Sequence, residues 1–235
     1  IEKRIKLYSA PEWLLEFVLR DRTVIAVTGC HGKTTITSMI AWVLKSANLN
    51  PGYLIGGVHP QLGTAALGEG IFVIEADEYD TAFFDKRPKF LHYWPQYLVI
   101  NSIEYDHADI FASLKEMIQQ YQYLLRLVPK SGQVFSHQIP PAIHDQITAF
   151  GLSHHEYDHQ QFEGPLQVMG EFNQVNAMVA QLVCQNFVDE NLIQSSLAIF
   201  QPTNRRQMMI HQSWYTLIDD FGHHPTAIKA MIASF

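Results

Sequence analysis

Residues 28–35 read Thr28-Gly29-Cys30-His31-Gly32-Lys33-Thr34-Thr35 and follow directly on the apolar run Val24-Ile25-Ala26-Val27. A strand that breaks at Gly29, turns through Gly32 and enters a helix at Thr34 aims several backbone N–H groups at one point. A polyphosphate fits there, because the first amides of a helix lack internal partners and that end of the helix is partly positive. Lys33 supplies a point charge for the terminal phosphates, and the Thr34 hydroxyl can bind the Mg²⁺ that travels with them. One position departs from the general pattern: Val27 stands five residues before Gly32, where such loops carry glycine. A bare Gly-Lys-Thr recurs by chance; the flanking strand and helix signals give this one meaning.

Two further polar strings follow apolar runs in the same way. Glu75-Ala76-Asp77-Glu78-Tyr79-Asp80 follows Ile71–Ile74, and Asn101-Ser102-Ile103-Glu104-Tyr105-Asp106-His107 follows Tyr97–Ile100. Four carboxylates within six residues repel one another, so a cation is expected nearby. Glu75, closest to the run, is the best Mg²⁺ ligand, since that ion takes one or two carboxylates plus phosphate oxygens and water. A solvated acidic turn is the plain alternative, which the phosphate loop displaces. His107 reads either as an ordinary histidine or as a metal ligand or proton carrier beside a nucleotide. Asn173 and Asn176 lie three apart and share a helix face; Asn173 is an N-cap or, with Asn176, an adenine or ribose contact. The pair Arg205-Arg206 is either solvated or turned toward a γ-phosphate, where a delocalised cation stabilises phosphoryl transfer. Asp220, in Asp219-Asp220-Phe221-Gly222-His223-His224-Pro225-Thr226, can bind ribose or metal.

The elements that must position these residues are legible in outline. Ser9 and Glu12 form a capping box with Pro11 in the first turn, ahead of a helix carrying Leu14, Leu15, Val18 and Leu19. Residues 24–27, 71–74, 97–100 and 133–136 read as strands. The continuous apolar runs among them suit burial on both faces of a parallel sheet. Helices are expected from Lys33 to about Ala47, Leu114 to Leu127, around Asn176 to Phe187, and Asn191 to Phe200. A strand at Trp214–Ile218 and a helix from near Thr226 close the chain. The alternation specifies an α/β fold, a doubly wound, mostly parallel sheet, whose ligands bind at the carboxyl ends of the strands. Residues 137–165, with Pro140-Pro141 and His144, His154, His155 and His159, read as a solvated loop in preference to a metal site, because no Cys/His ligand spacing appears.

Bulk composition excludes several classes. The 235 residues carry a formal net charge of −7 with no basic cluster, which argues against nucleic acid as a partner. No stretch approaches the ~20 apolar residues of a membrane span, and the start, Ile1-Glu2-Lys3-Arg4, lacks a signal peptide's apolar centre, so the expected location is cytoplasmic. Two cysteines, Cys30 and Cys184, give no disulfide framework; Cys30 reads as a small loop residue.

Taken in order, the loop 28–35, the Glu75-Ala76-Asp77-Glu78 turn, Asn101 to His107, Asn173 with Asn176, Arg205-Arg206 and residues 219–226 resemble the Mur ligases. The resemblance spans nearly the whole chain. The strings Glu75–Arg87 and Asp106–Phe111 are most similar to the branch that joins UDP-N-acetylmuramate to the murein tripeptide L-alanyl-γ-D-glutamyl-meso-diaminopimelate in cell-wall recycling. The branch that adds L-alanine is the alternative. The resemblance implies ATP and Mg²⁺ as cofactors, with residues Thr28 to Thr35 on the nucleotide and Lys33 on its phosphates. It implies Thr34 and Glu75 on a first Mg²⁺, His107 on a second, Asn173 and Asn176 toward adenine, and Arg206 and Asp220 on the far side of the cleft. Lys33, Glu75, His107 and Arg206 would thus be the catalytic set. Phe172 stands where the family has histidine, and Pro202 where it has glycine, which stiffens that loop. The implied domains are a linker and capped helix (1–20), an ATP-binding central domain (21–208) and the opening of a C-terminal Rossmann-like domain (209–235). A nucleotide-binding fragment without ligase activity is the competing reading from another class; an unrelated ATPase gives no reason for the downstream strings.

Overall fold

The computed structural model describes residues 6–105, 110–158 and 161–235. His107 and its neighbours Asp106, Ala108 and Asp109 lie outside the described residues, as does His159. Seven strands make the main sheet, in the order β3 (Gly63–Ala66), β2 (Gly52–His59), β4 (Ile71–Glu75), β1 (Thr23–Thr28), β7 (Tyr97–Ile100), β8 (Gln133–Ser136) and β9 (Ser153–Glu156). All neighbours run parallel except β3, which is antiparallel to β2.

The doubly wound expectation holds, and the alternation of side chains explains it. Ile25, Val27, Val73, Val99 and Phe135 point to one face, which is covered by α2 (Lys33–Ser46), α5 (Glu171–Cys184) and α6 (Glu190–Ala198). Val24, Ala26, Phe72, Ile74, Leu98, Ile100 and Val134 point to the other, under α3 (Leu114–Leu125) and α4 (Pro141–Phe150). Both faces are therefore dry, which is why these strands read as unbroken apolar runs rather than alternating ones. The Ser9 capping box forms as expected, with Ser9 N donating to Glu12 Oε2 at 2.8 Å, and opens α1 (Ala10–Leu14).

Three sequence expectations are corrected. Residues 137–165 are not one solvated loop. They contain α4, which buries only Ile143 and Ile147, and the edge strand β9, whose Ser153-His154-His155-Glu156 backbone pairs with β8. The helix expected around Asn176 begins at Glu171 with Gly170 as N-cap, so Asn173 sits inside the first turn and is not the cap. The late strand expected at 214–218 is β11 (Thr216–Asp219), paired with the unforeseen β10 (Met208–Gln212). That hairpin and α7 (Pro225–Ile232) bury no apolar core of their own. A small hairpin of β5 (Asp80–Ala82) and β6 (Asp85–Pro88) follows the acidic turn.

Register fixes the site. Val27 pairs with Glu75, Thr28 with Ile100, and Ile100 with Ser136, so the polar residues that end β4, β1 and β8, and Asn101 just after β7, emerge along one edge.

Candidate nucleotide site

The loop between β1 and α2 is held open by backbone geometry only glycine tolerates cheaply. Gly29 adopts φ +119° and Gly32, the N-cap of α2, adopts φ +76°. A Cβ at Gly32 would stand 2.6 Å from Asn176 Oδ1 and 2.7 Å from Asn101 Nδ2. Gly32 makes no side-chain cap, so the leading amides of α2 remain for a ligand. Cys30 N donates to Ser102 O at 3.0 Å, tying the loop to the segment after β7. Val27, lacking the usual glycine, is fully buried in β1 and opposite Glu75, so the departure lies in the strand and leaves the cradle intact.

Lys33 leads into a carboxylate group. Its Nζ donates to Gly29 O at 2.8 Å, lies 3.2 Å from Glu78 Oε2 and 3.8 Å from Asp77 Oδ1, and is largely buried. Burial alone would lower the lysine's pKa, but Glu78, Asp77 and Glu75 outweigh it and raise the value, so the ammonium stays charged. Glu78 is fully buried. Sequence reasoning nominated only Glu75 in this turn. Glu78 was missed because its partner is 45 residues away in the chain.

Glu75 meets the loop from the adjacent strand. Its Oε1 accepts from Thr34 Oγ1 at 3.1 Å and its Oε2 from Gly56 N at 2.8 Å. Burial and Asp77 push its pKa up, opposed by Lys33, the Gly56 N–H and Thr34. Arg206 Nη2 also reaches Thr34 Oγ1, at 3.0 Å. Thus Lys33, Thr34, Glu75 and Arg206, spread over 174 positions, converge on the start of α2.

A buried chain of amides backs the loop. Tyr157 Oη donates to Asn101 Oδ1 (2.9 Å), and Asn101 Nδ2 donates to His31 O (2.9 Å). Asn176 Nδ2 donates to Asn173 Oδ1 (3.1 Å), and Asn173 Nδ2 to Gln207 Oε1 (2.9 Å). Asn173 and Asn176 therefore do come together, and in this structure their amides bond to protein. Asn101, Tyr157 and Gln207 were missed as participants. Asn101 had a readable signal, since it is the first residue after β7, as Glu75 ends β4. Asp220 turns inward: its Oδ2 accepts from Gln207 N at 2.8 Å and its Oδ1 from Gly222 N at 2.6 Å. His31, Glu104 and His224 face one another across the mouth, His31 Nε2 being 3.4 Å from Glu104 Oε1. Burial lowers the His31 pKa, Glu104 opposing and His224 reinforcing.

These groups surround a cleft of about 460 Å³, whose walls include Lys33, Glu75, Asn176, Arg206 and Asp220. That volume suits a nucleotide-sized ligand, and its position at the carboxyl ends of the strands is where open α/β sheets bind.

The fold and this site define a P-loop α/β domain with an acidic, arginine-capped cleft. A profile of the Mur ligase middle domain matches residues 27–140. The UDP-N-acetylmuramate–L-alanyl-γ-D-glutamyl-meso-2,6-diaminoheptandioate ligases of Escherichia coli and Haemophilus influenzae are 38 % and 36 % identical to the chain over its whole length. The chain spans 57 % and 58 % of those two relatives, little more than half their length. A crystal structure of the corresponding ligase from Neisseria meningitides is 36 % identical and superposes with a TM-score of 0.76, over 83 % of this chain and 71 % of that one. The chain belongs to the Mur ligase family, whose members use ATP.

Proposed function

We propose that this chain is the ATP-binding part of a ligase that joins UDP-N-acetylmuramate to L-alanyl-γ-D-glutamyl-meso-diaminopimelate, working in the cytoplasm in peptidoglycan recycling. The observation that carries the reading is the convergence of Lys33, Thr34, Glu75 and Arg206 on one helix start, in a chain of this family. The domain reading is a linker and capped helix over 1–20, a central domain over 21–208 and the beginning of a further domain over 209–235.

A carboxylate resists amine attack because oxide is a poor leaving group. Transfer of the γ-phosphoryl group of ATP to the muramoyl carboxylate gives an acyl phosphate; the peptide amine adds to its carbonyl carbon, and the tetrahedral adduct expels phosphate. The amine's proton leaves in that step. Catalysis of this kind is mostly positioning and neutralisation of charge. In this reading the α2 amides and Lys33 hold the phosphates, and Arg206 neutralises charge on the transferring group. Asn173 and Asn176 lie on the adenine side, and Asp220 fixes the segment opposite.

The donor set fits Mg²⁺. Thr34 Oγ1 and Glu75 Oε1 are hard oxygen ligands 3.1 Å apart, and a buried carboxylate whose pKa is raised gains most from a cation. Bound there, Mg²⁺ would supply charge neutralisation on the phosphate oxygens. His107, outside the described residues, is carried over from the family pattern as ligand to a second ion.

The test is to incubate the chain with Mg²⁺, ATP, UDP-N-acetylmuramate and either tripeptide or L-alanine, following product mass and ADP. Tripeptide product supports the proposal, and product with L-alanine alone replaces it with the alanine-adding reaction. Calorimetric ATP binding without turnover makes the isolated chain a nucleotide-binding fragment. Failure to bind ATP overturns the assignment of the site.

A further inference from the structure

Helix α4 and strand β9, both unforeseen from sequence, bring three metal-ligating side chains together at the sheet edge, three strands away from the phosphate loop. His144 comes from α4. His154 and Glu156, two apart, project from one face of β9. One ligand atom of each lies within 4.8 Å of the other two. His144 Nε2 and Glu156 Oε1 are 3.3 Å apart, and the two imidazole rings have their centroids at 5.6 Å. Two ligands held 2.0–2.2 Å from a tetrahedral ion are about 3.3–3.5 Å apart, so the first pair already has the right separation. The remaining closure is within reach of side-chain rotation on a half-exposed surface.

A further feature distinguishes this group from an ordinary surface ion pair. Ser136 Oγ, fully buried at the end of β8, is hydrogen-bonded to His154 Nε2 at 2.8 Å. Such an outer partner orients a ligating histidine; with the proton on Nε2, Nδ1 keeps the lone pair a metal needs. Among the described residues, the other two three-residue groups are different in kind. Glu12, Asp85 and His92 are already served by Arg87, which lies 2.7 Å from Asp85, and His31, Glu104 and His224 belong to the nucleotide cleft.

We propose that His144, His154 and Glu156 form a site for a borderline transition-metal ion of the Zn²⁺ class, with water in the open position. Two imidazoles and one carboxylate suit Zn²⁺ and disfavour Mg²⁺, which prefers oxygen. The ion ties α4 to the exposed edge strand β9. It thereby blunts an edge that otherwise presents unpaired backbone groups.

The test uses the whole chain, stripped of metal, titrated with Zn²⁺ against a chromophoric chelator. Wild type is expected to take up one equivalent that His144→Ala and Glu156→Gln each weaken at least about tenfold, with ATP binding unchanged. Both side chains are half exposed, so the fold should survive, and far-UV circular dichroism checks it. A parallel Co²⁺ titration should give visible absorption bands that His154→Ala removes. The proposal fails if no Zn²⁺ is taken up, if the equivalent survives both substitutions, or if His224→Ala removes it instead.

Discussion

Replacing Gly32 by alanine separates two costs that usually come together. The first is backbone strain: at φ +76° an L-residue sits in the left-handed region, at about 1–2 kcal/mol. The second is collision. The new Cβ would meet Asn176 Oδ1 at 2.6 Å and Asn101 Nδ2 at 2.7 Å, both buried. Moving Asn101 endangers its bond to His31 O, and a buried donor left unpaired costs about 1–3 kcal/mol. Gly32→Ala should therefore cost about 2–5 kcal/mol in total. Gly63 is the control, with φ +73° and nothing within 4 Å of its virtual Cβ, so Gly63→Ala should cost only the strain, about 1–2 kcal/mol. Urea unfolding of both variants, with equal m-values, gives the difference directly. ATP affinity should fall for Gly32→Ala and be unchanged for Gly63→Ala. If the two variants are destabilised equally, or if Gly32→Ala binds ATP normally, the amide chain does not brace the loop and the reasoning is wrong.

Other expectations follow from the same geometry. Lys33→Met should abolish ATP binding and also destabilise the chain by about 3–5 kcal/mol, because it removes one partner of a buried ion pair, the ammonium 3.2 Å from the fully buried Glu78 carboxylate. Adding Glu78→Gln should restore much of the stability and none of the binding, as read by denaturation beside calorimetry. Glu75→Gln should raise the Mg²⁺ concentration needed for ATP binding. Because burial raises the Glu75 pKa above its ordinary 4.5, wild-type affinity should fall on acidification at a higher pH than a normal carboxylate would give, and Glu75→Gln should flatten that limb. Asp85, hydrogen-bonded by Arg87, has its pKa lowered to about 2 from 3.8. A depressed folded-state value contributes stability above pH 3.8 that is lost as pH falls toward 2. With Arg87 mostly exposed, screening limits it to under about 1 kcal/mol, visible as the difference between wild type and Asp85→Asn across that window.

What was legible in the chain is what local pattern can encode. The strands at 71–74, 97–100 and 24–27 announced themselves because both faces are dry, leaving no polar interruption. Lys33, Thr34 and Glu75 were legible because each lies at a strand end or helix start. Arg206 was legible only as an alternative to a solvated residue, since its contact with Thr34 joins positions 172 apart. Helix α4 was hidden because it buries two residues, Ile143 and Ile147, among polar ones, and two points do not define a period. Strand β9 was hidden because edge pairing uses backbone atoms, so histidine and glutamate serve as well as valine. Glu78 looked like one more solvated acid. It is buried beside the Lys33 ammonium, a through-space fact that no window around residue 78 contains.

The strand order has a consequence for the chain's biography. The first strand of the sheet, β1, lies between β4 and β7, so neither of its hydrogen-bonding neighbours exists when it is synthesised. Thr28 and Ile100 are 72 residues apart. At ribosomal speeds of about 5–20 residues per second, β1 and its loop wait about 4–14 s for their second flank. During that interval Val24 to Val27 is an apolar strand with at least one flank open, the kind of segment that holdase chaperones cover. The strand that carries the recognisable motif is thus among the first made, and it gains its second flank only with the arrival of residue 100.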